Sequence, residues 1–232
     1  MRKLFSSKTK VIHEVRVRET SLKLVKGNIC NERSEAIIIG NNRDLTGENG
    51  VSSAVMSSGG EQLVNQSRGW VLKNGRVPYG KVAVTSGGSL YSLNVVHAIC
   101  PKFSRYSHGF EDLFRTTVVN AFSKCDELYA KTVSFAVFTS EEFDFPRENS
   151  AALQIESIIS YISEHAMTRC EEIRVVVNDK EKALEFLSEF EQRWGPAPDS
   201  GKGLFKKAKK SGRPEFELKE KDDVGYKNEF NL

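Results

Sequence analysis

The chain has 232 residues, enough for one substantial α/β domain with a tail or for two small domains. Its 39% hydrophobic and 28% charged content is that of an ordinary soluble protein, and a net charge of +3 does not by itself argue for nucleic acid. No stretch approaches the roughly 20 apolar residues of a membrane span, and no histidine pairs with another ligand at zinc-like spacing, so no membrane, metal or cofactor role is expected.

In chain order, MRKLFSSKTK is basic and serine-containing without an apolar signal core, and 1–10 reads as a flexible leader. The cytoplasm or nucleus is the expected location. Val11 to Val17 alternates apolar and polar like a half-exposed strand, and Ser21 to Val25 alternates again before Gly27 and Asn28. Ala36 to Ile39 is a continuous apolar run, the mark of a strand covered on both faces. A loop with Gly47 and Gly50 follows, then a small-residue helix from about Val51 to Trp70, interrupted by Gly59 and Gly60. Strand, glycine-containing loop and helix N-terminus together make a generic anion cradle.

Strands are expected at Lys81 to Thr85, Asn94 to Cys100, Thr132 to Phe138 and Ile173 to Val177. Helices are expected at Phe110 to Tyr129, at Ser150 to His165 with Asn149 or Ser150 as N-cap, and at Lys180 to Trp194. Lys102 to Gly109 and Thr139 to Pro146 read as loops. Late strands alternating with helices predict a three-layer α/β/α sandwich on a mixed, mostly parallel sheet. The two early strands with no helix between them predict an antiparallel edge. Cys30, Cys100, Cys125 and Cys170 stand far apart, three of them in or beside apolar segments, and read as buried free thiols. His97 reads as a core histidine on a buried strand.

After Trp194 the composition shifts to Gly, Pro and Lys without apolar periodicity, and 195–232 reads as a charged, disordered tail beyond a domain at 11–194. GPAPDSGKG there is not a Walker loop: five residues separate Gly195 from Gly201 rather than four, and no strand precedes it. Lys206, Lys207, Lys209 and Lys210 read as a solvated charge run, with weak nucleic-acid contact as the sharper alternative.

Several segments in this order resemble the macrodomain family of ADP-ribose-binding modules, over about Ile12 to Phe190, closest in kind to the divergent macrodomains of large poly-ADP-ribose polymerases. VKGNIC (25–30) sits where the family has Gly-Asp-Ile, EAIIIGNN (35–42) where it has Asn-Ala-Ala-Asn, and GENGV (47–51) where it has its first phosphate loop. VVHAICP (95–101) is similar to its Val-Ile-His-Ala-Val-Gly-Pro strand, and FTSEEFDFP (138–146) to its second phosphate loop. The resemblance implies ADP-ribose, free or protein-linked, as the partner. Adenine falls near Asn28, the diphosphate between loops 46–51 and 139–145, and the distal ribose at Asn42 and Phe143, with Ile29, Gly47, Gly50, Val51, Ser52, Ser140 and Glu141 as the further expected contact residues.

Departures accompany the match. Asn28 replaces an adenine-contacting aspartate, so the contact carries no charge and is expected to be weaker. Ile39 replaces the first motif asparagine, and Glu141 and Asp144 replace glycines of the second loop. Ser52 stands where hydrolytic members carry an aspartate, and a serine without an adjacent base does not act as a general base near neutral pH. No catalytic residue is therefore assigned, and a binding module that does not hydrolyse is the expected function. A hydrolase with Glu48 as a relocated base, and a degenerate macrodomain acting as a protein-interaction scaffold, stay open.

Overall fold

The computed structural model describes residues 9–48, 50–102, 109–138, 147–165 and 168–197. β1 (Lys10–Val17) and β2 (Thr20–Lys26) form an antiparallel hairpin whose tight turn holds Arg18 at φ +52°. β3 (Ala36–Gly40) leads into α1 (Gly50–Asn74), then β4 (Val82–Ser86) and β5 (Asn94–Ala98). α2 (Phe110–Glu127), β6 (Thr132–Ala136), α3 (Arg147–Glu164), β7 (Glu172–Val177) and α4 (Lys180–Trp194) complete the domain.

The seven strands form one sheet in the order β1-β2-β7-β6-β3-β5-β4. The β2/β7, β6/β7, β3/β6 and β3/β5 pairs are parallel. Both edges are antiparallel, β1 against β2 and β4 against β5. The expected three-layer sandwich and antiparallel edge are thus present, and a second antiparallel edge joins them.

β3 lies inside the sheet because its run is apolar on both faces. Ile38 packs into the cluster shared with Phe114, Phe122, Ile158 and Phe186 of α2, α3 and α4. Ile37 and Ile39 point the other way, onto Val55, Met56 and Leu63 of α1. α1 buries Ser52, Val55, Met56, Gly59, Leu63 and Ser67, a stripe at helical spacing whose small members let the helix lie close to the sheet. Gly60 (φ +73°, ψ −166°) kinks it, so the interruption read from the glycine pair is real but bends the helix instead of ending it.

The expected cap of α3 is corrected. The helix starts at Arg147, so Asn149 and Ser150 lie inside its first turn. Pro146 directly ahead of it in sequence suits a helix start, where a missing N–H costs nothing. The Ser150 hydroxyl instead accepts from Gln154 Nε2 at 3.0 Å. Buried Gln154 clamps the end of β6, accepting from the Phe138 amide (2.7 Å) and donating to its carbonyl (3.0 Å).

α1 and the 3-10 turn Ile29–Asn31 leave part of their sheet face to polar side chains. Glu32, 3% exposed, accepts from Arg174 Nε (2.6 Å) and from the Ser134 hydroxyl (3.0 Å). Lys23 and Arg174 both reach Glu172, at 2.6 and 3.1 Å. Thr9, inside the stretch read as leader, donates to Glu32. Gly195, the first residue of the stretch read as tail, accepts from His13 Nε2 at 3.0 Å. Residues 1–8 and 198–232 lie outside the described part.

Candidate functional site

A cleft of about 960 Å³ opens at the C-terminal ends of the parallel strands, where ligands of open α/β sheets are generally bound. Its wall runs from Gly27, Asn28 and Ile29 after β2, past Val176 and Asn178 of the β7 end and Ala136 and Val137 of the β6 end. It continues over Gly40 to Arg43 after β3, and reaches Cys100 and Lys102 after β5 and Arg76 and Tyr79 ahead of β4. From β2 to β5 there are four strand intervals, a span of about 19 Å.

The N-terminus of α1 faces this cleft through Gly50, Val51, Ser52 and Ala54. A helix start, with the positive end of the helix dipole, favours an anion. Side-chain charge acts in the same direction. Among the described residues the lining carries Arg43, Arg76, Lys102 and Lys182 against a single carboxylate, Glu48.

The loop between β3 and α1 is shaped by Asn41, which the sequence reading did not single out. Asn41 is 5% exposed, and its Oδ1 accepts from the amides of Asn42 (2.8 Å) and Gly47 (3.2 Å). Its Nδ2 lies 3.0 Å from His97 Nδ1, and His97 Nε2 lies 2.9 Å from the Thr85 hydroxyl. Because Oδ1 is the acceptor of two amides, Nδ2 donates, and His97 Nδ1 must be an unprotonated acceptor. His97 is therefore a neutral imidazole carrying its proton on Nε2. Full burial pushes its pKa down to about 4, which suits that state. The core-histidine reading holds, with a purpose: His97 fixes the amide that folds the loop.

Asn42 turns its side chain onto Thr46, donating to the hydroxyl (2.5 Å) and accepting from the amide (3.0 Å). Gly47 is buried at φ +64°, and a Cβ there would stand 2.4 Å from Met56 Cγ, so only glycine fits. At the other end Asn28 caps the 3-10 turn, accepting from the Cys30 amide at 3.0 Å.

Of the expected contact residues, Asn28, Ile29, Asn42, Gly50, Val51 and Ser52 line this one cleft. Gly47 is outside the lining and serves the turn. Ser140, Glu141 and Phe143 lie outside the described residues, as do Glu142, Asp144, Phe145 and Pro146. Beyond the sequence reading, the structure adds Arg43, Arg76, Tyr79, Lys102, Asn178 and Lys182 to the wall. Their clustering depends on strand order, which no local pattern displays. Cys100 also lines the cleft, but burial pushes its thiol up to about 12, which removes it as a nucleophile at neutral pH.

Comparison with known proteins gives a family model, the Macro domain, matching residues 40–154. An uncharacterised protein of Thermotoga maritima is 32% identical over 79% of this chain, which spans only 31% of that protein's length. The chain likewise spans 28% of a GDAP2 homolog of Dictyostelium discoideum. It is 27% identical over 68% of its length to O-acetyl-ADP-ribose deacetylase 2 of Pantoea vagans, covering 91% of that protein. Among solved structures, the macrodomain of Oceanobacillus iheyensis with ADP superposes with a TM-score of 0.74 at 21% identity, over 81% of this chain and 98% of the other.

Proposed function

The chain belongs to the macrodomain family, and from that premise we infer that its cleft binds ADP-ribose, free or attached to protein, without hydrolysing it. One observation carries the reading: among the described residues, the cleft sets a helix N-terminus beside Arg43, Lys102, Lys182 and the Asp44-paired Arg76, with Glu48 as the carboxylate of that lining, over a span of about 19 Å. A diphosphate at Gly50, Val51 and Ser52 meets the α1 amides there. Adenine then falls against Ile29 and the Asn28 amide, and the distal ribose against Asn42. The bound-ligand names of related proteins agree, since the O. iheyensis macrodomain was solved with ADP and a variant of it with ADPR.

Calorimetric titration with ADP-ribose, ADP and AMP tests this. Saturable binding in the order ADP-ribose, ADP, AMP is expected, weakened by Asn42→Ala without loss of the fold. No heat at millimolar ADP-ribose rejects the reading and turns attention to a protein-interaction scaffold.

The hydrolase alternative keeps one observation in its favour, because Glu48 is a carboxylate in the cleft lining. Its Oε1 accepts from the Thr46 hydroxyl at 3.1 Å. Release of ADP-ribose from a modified protein, abolished by Glu48→Gln, establishes hydrolysis; release that survives this change excludes Glu48 as the base.

A further inference from the structure

At the β4 end of the cleft stands a guanidinium that the loop has gone to some length to hold still. Arg43 follows Asn42 directly. Its carbonyl accepts from the Val77 amide at 2.9 Å, and its Nε donates back to the Val77 carbonyl at 3.0 Å. Val77 is fully buried in a small cluster with Leu45, Ala83 and Ile99, so this two-way bond has a rigid base. The guanidinium carbon lies 5.2 Å from the centre of the Tyr79 ring, within cation–π range.

Those restraints occupy Nε and cover the plane of the group. Its two terminal nitrogens have no acceptor among the described residues. The neighbouring carboxylate does not supply one. Asp44 is held by Arg76 through both oxygens, at 2.9 and 2.8 Å. Arg43 therefore presents a positioned two-nitrogen fork from the cleft wall, the geometry that fits a carboxylate, and much of the entropic cost of ordering an arginine is already met.

The polarity of the cleft says which part of a ligand arrives there. Its β2/β7 end offers Ile29, Val176 and the Asn28 amide, suited to a flat base, with Asn178 and Lys182 beside them, and the α1 N-terminus lies between the two ends. The sugar distal to the diphosphate then points toward β4, and whatever is attached to that sugar leaves past Arg43 and Tyr79, which is 49% exposed. A half-exposed aromatic ring beside a guanidinium suits a polypeptide, with an apolar stretch against the ring and an acidic side chain on the fork.

We propose that Arg43, braced by Val77 and Tyr79, is a specificity residue that reads a carboxylate of the modified polypeptide next to its ADP-ribosylated residue. This rests on the ADP-ribose reading of the cleft. The test uses two synthetic peptides ADP-ribosylated at the same serine, one with flanking glutamates and one with glutamines, titrated into the full chain and into Arg43→Gln and Arg43→Lys. The wild type is expected to prefer the glutamate peptide about fivefold, the size of one well-placed exposed ion pair. The preference falls to one in Arg43→Gln, is only partly kept in Arg43→Lys, and shrinks with added salt. Equal affinity of the wild type for both peptides overturns the proposal, as does a preference that survives Arg43→Gln. If the wild type binds neither peptide nor free ADP-ribose, the reading of the cleft itself fails and takes the proposal with it. Thermal unfolding of each variant separates loss of fold from loss of contact.

Discussion

Replacing Asn41 by leucine keeps the size of the side chain and removes its hydrogen-bonding groups. Three partners are stranded: the amides of Asn42 and Gly47 and Nδ1 of His97. Asn42 is half-buried and can recover a water, but Gly47 and His97 are buried. Each buried polar group left without a partner costs about 1–3 kcal/mol, so the two together should cost about 2–6 kcal/mol of stability. The same change frees the loop that sets Asn42 and Gly50 at the cleft, so ligand affinity should fall as well. Urea unfolding, with calorimetric titration of ADP-ribose below the transition, measures both. A double-mutant cycle with His97→Phe should show a coupling energy of about 1 kcal/mol or more between the two side chains, as contacting residues in one network do. A loss under about 0.5 kcal/mol, typical of unremarkable surface changes, with unchanged ligand affinity would refute the assignment of Asn41 as the residue that folds the loop.

Acid should act through the same histidine. The pKa of His97 is lowered to about 4 in the folded chain from an ordinary 6.5, so between those values the unfolded chain binds the extra proton. Stability from this group is complete above about pH 6.5 and is lost as pH falls, by about 2 kcal/mol at pH 5 and no more than about 3.5 kcal/mol once below pH 4. Denaturation of wild type and His97→Gln at pH 7 and pH 5 should therefore show a steeper loss in the wild type; parallel losses would remove His97 as the cause. At the opposite end of the cleft, Asn28→Asp keeps an oxygen to cap the 3-10 turn and adds a charge for a base amino group. Calorimetry should find ADP-ribose bound about fivefold tighter, the gain of a charge-assisted hydrogen bond over a neutral one; weaker binding would place the adenine elsewhere.

The elements were legible because their signals are local. Lys180–Trp194 has the expected bounds since Asp179 caps it through the amides of Glu181 and Lys182 and Gly195 ends it at φ +85°. β3 was legible because burial on both faces demands an unbroken apolar run. The α3 start was not, because two plausible cap residues stood inside a helix that begins one turn earlier. The site divides in the same way. Asn28, Asn42 and the glycines stand at chain turns, where the residue type itself reports backbone geometry. Asn41 differs from Asn42 by one position along a strand end, which turns its side chain inward to His97, 56 residues away. Arg43 and Tyr79 meet only because β4 folds back beside β5 at the sheet edge. Neither contact leaves a trace in local sequence.

The same division bears on what the cleft can do. Its frame is rigid: a buried amide–imidazole pair holds the β3 loop, Gln154 clamps the end of β6, and Asn28 caps the turn after β2. These groups hold backbone or another fixed side chain, and none of them is a base at neutral pH. Hydrolysis asks for the opposite, a group near the reacting carbon with a proton affinity matched to neutral pH. Cys100 is held protonated by burial, His97 is turned away into the Asn41–Thr85 chain, and the serine at position 52 brings no carboxylate. Glu48, on the exposed rim, is what remains among the described residues that line the cleft. Among the described residues hydrolysis would therefore depend on Glu48, and the Glu48→Gln assay decides between holding an anion and turning it over.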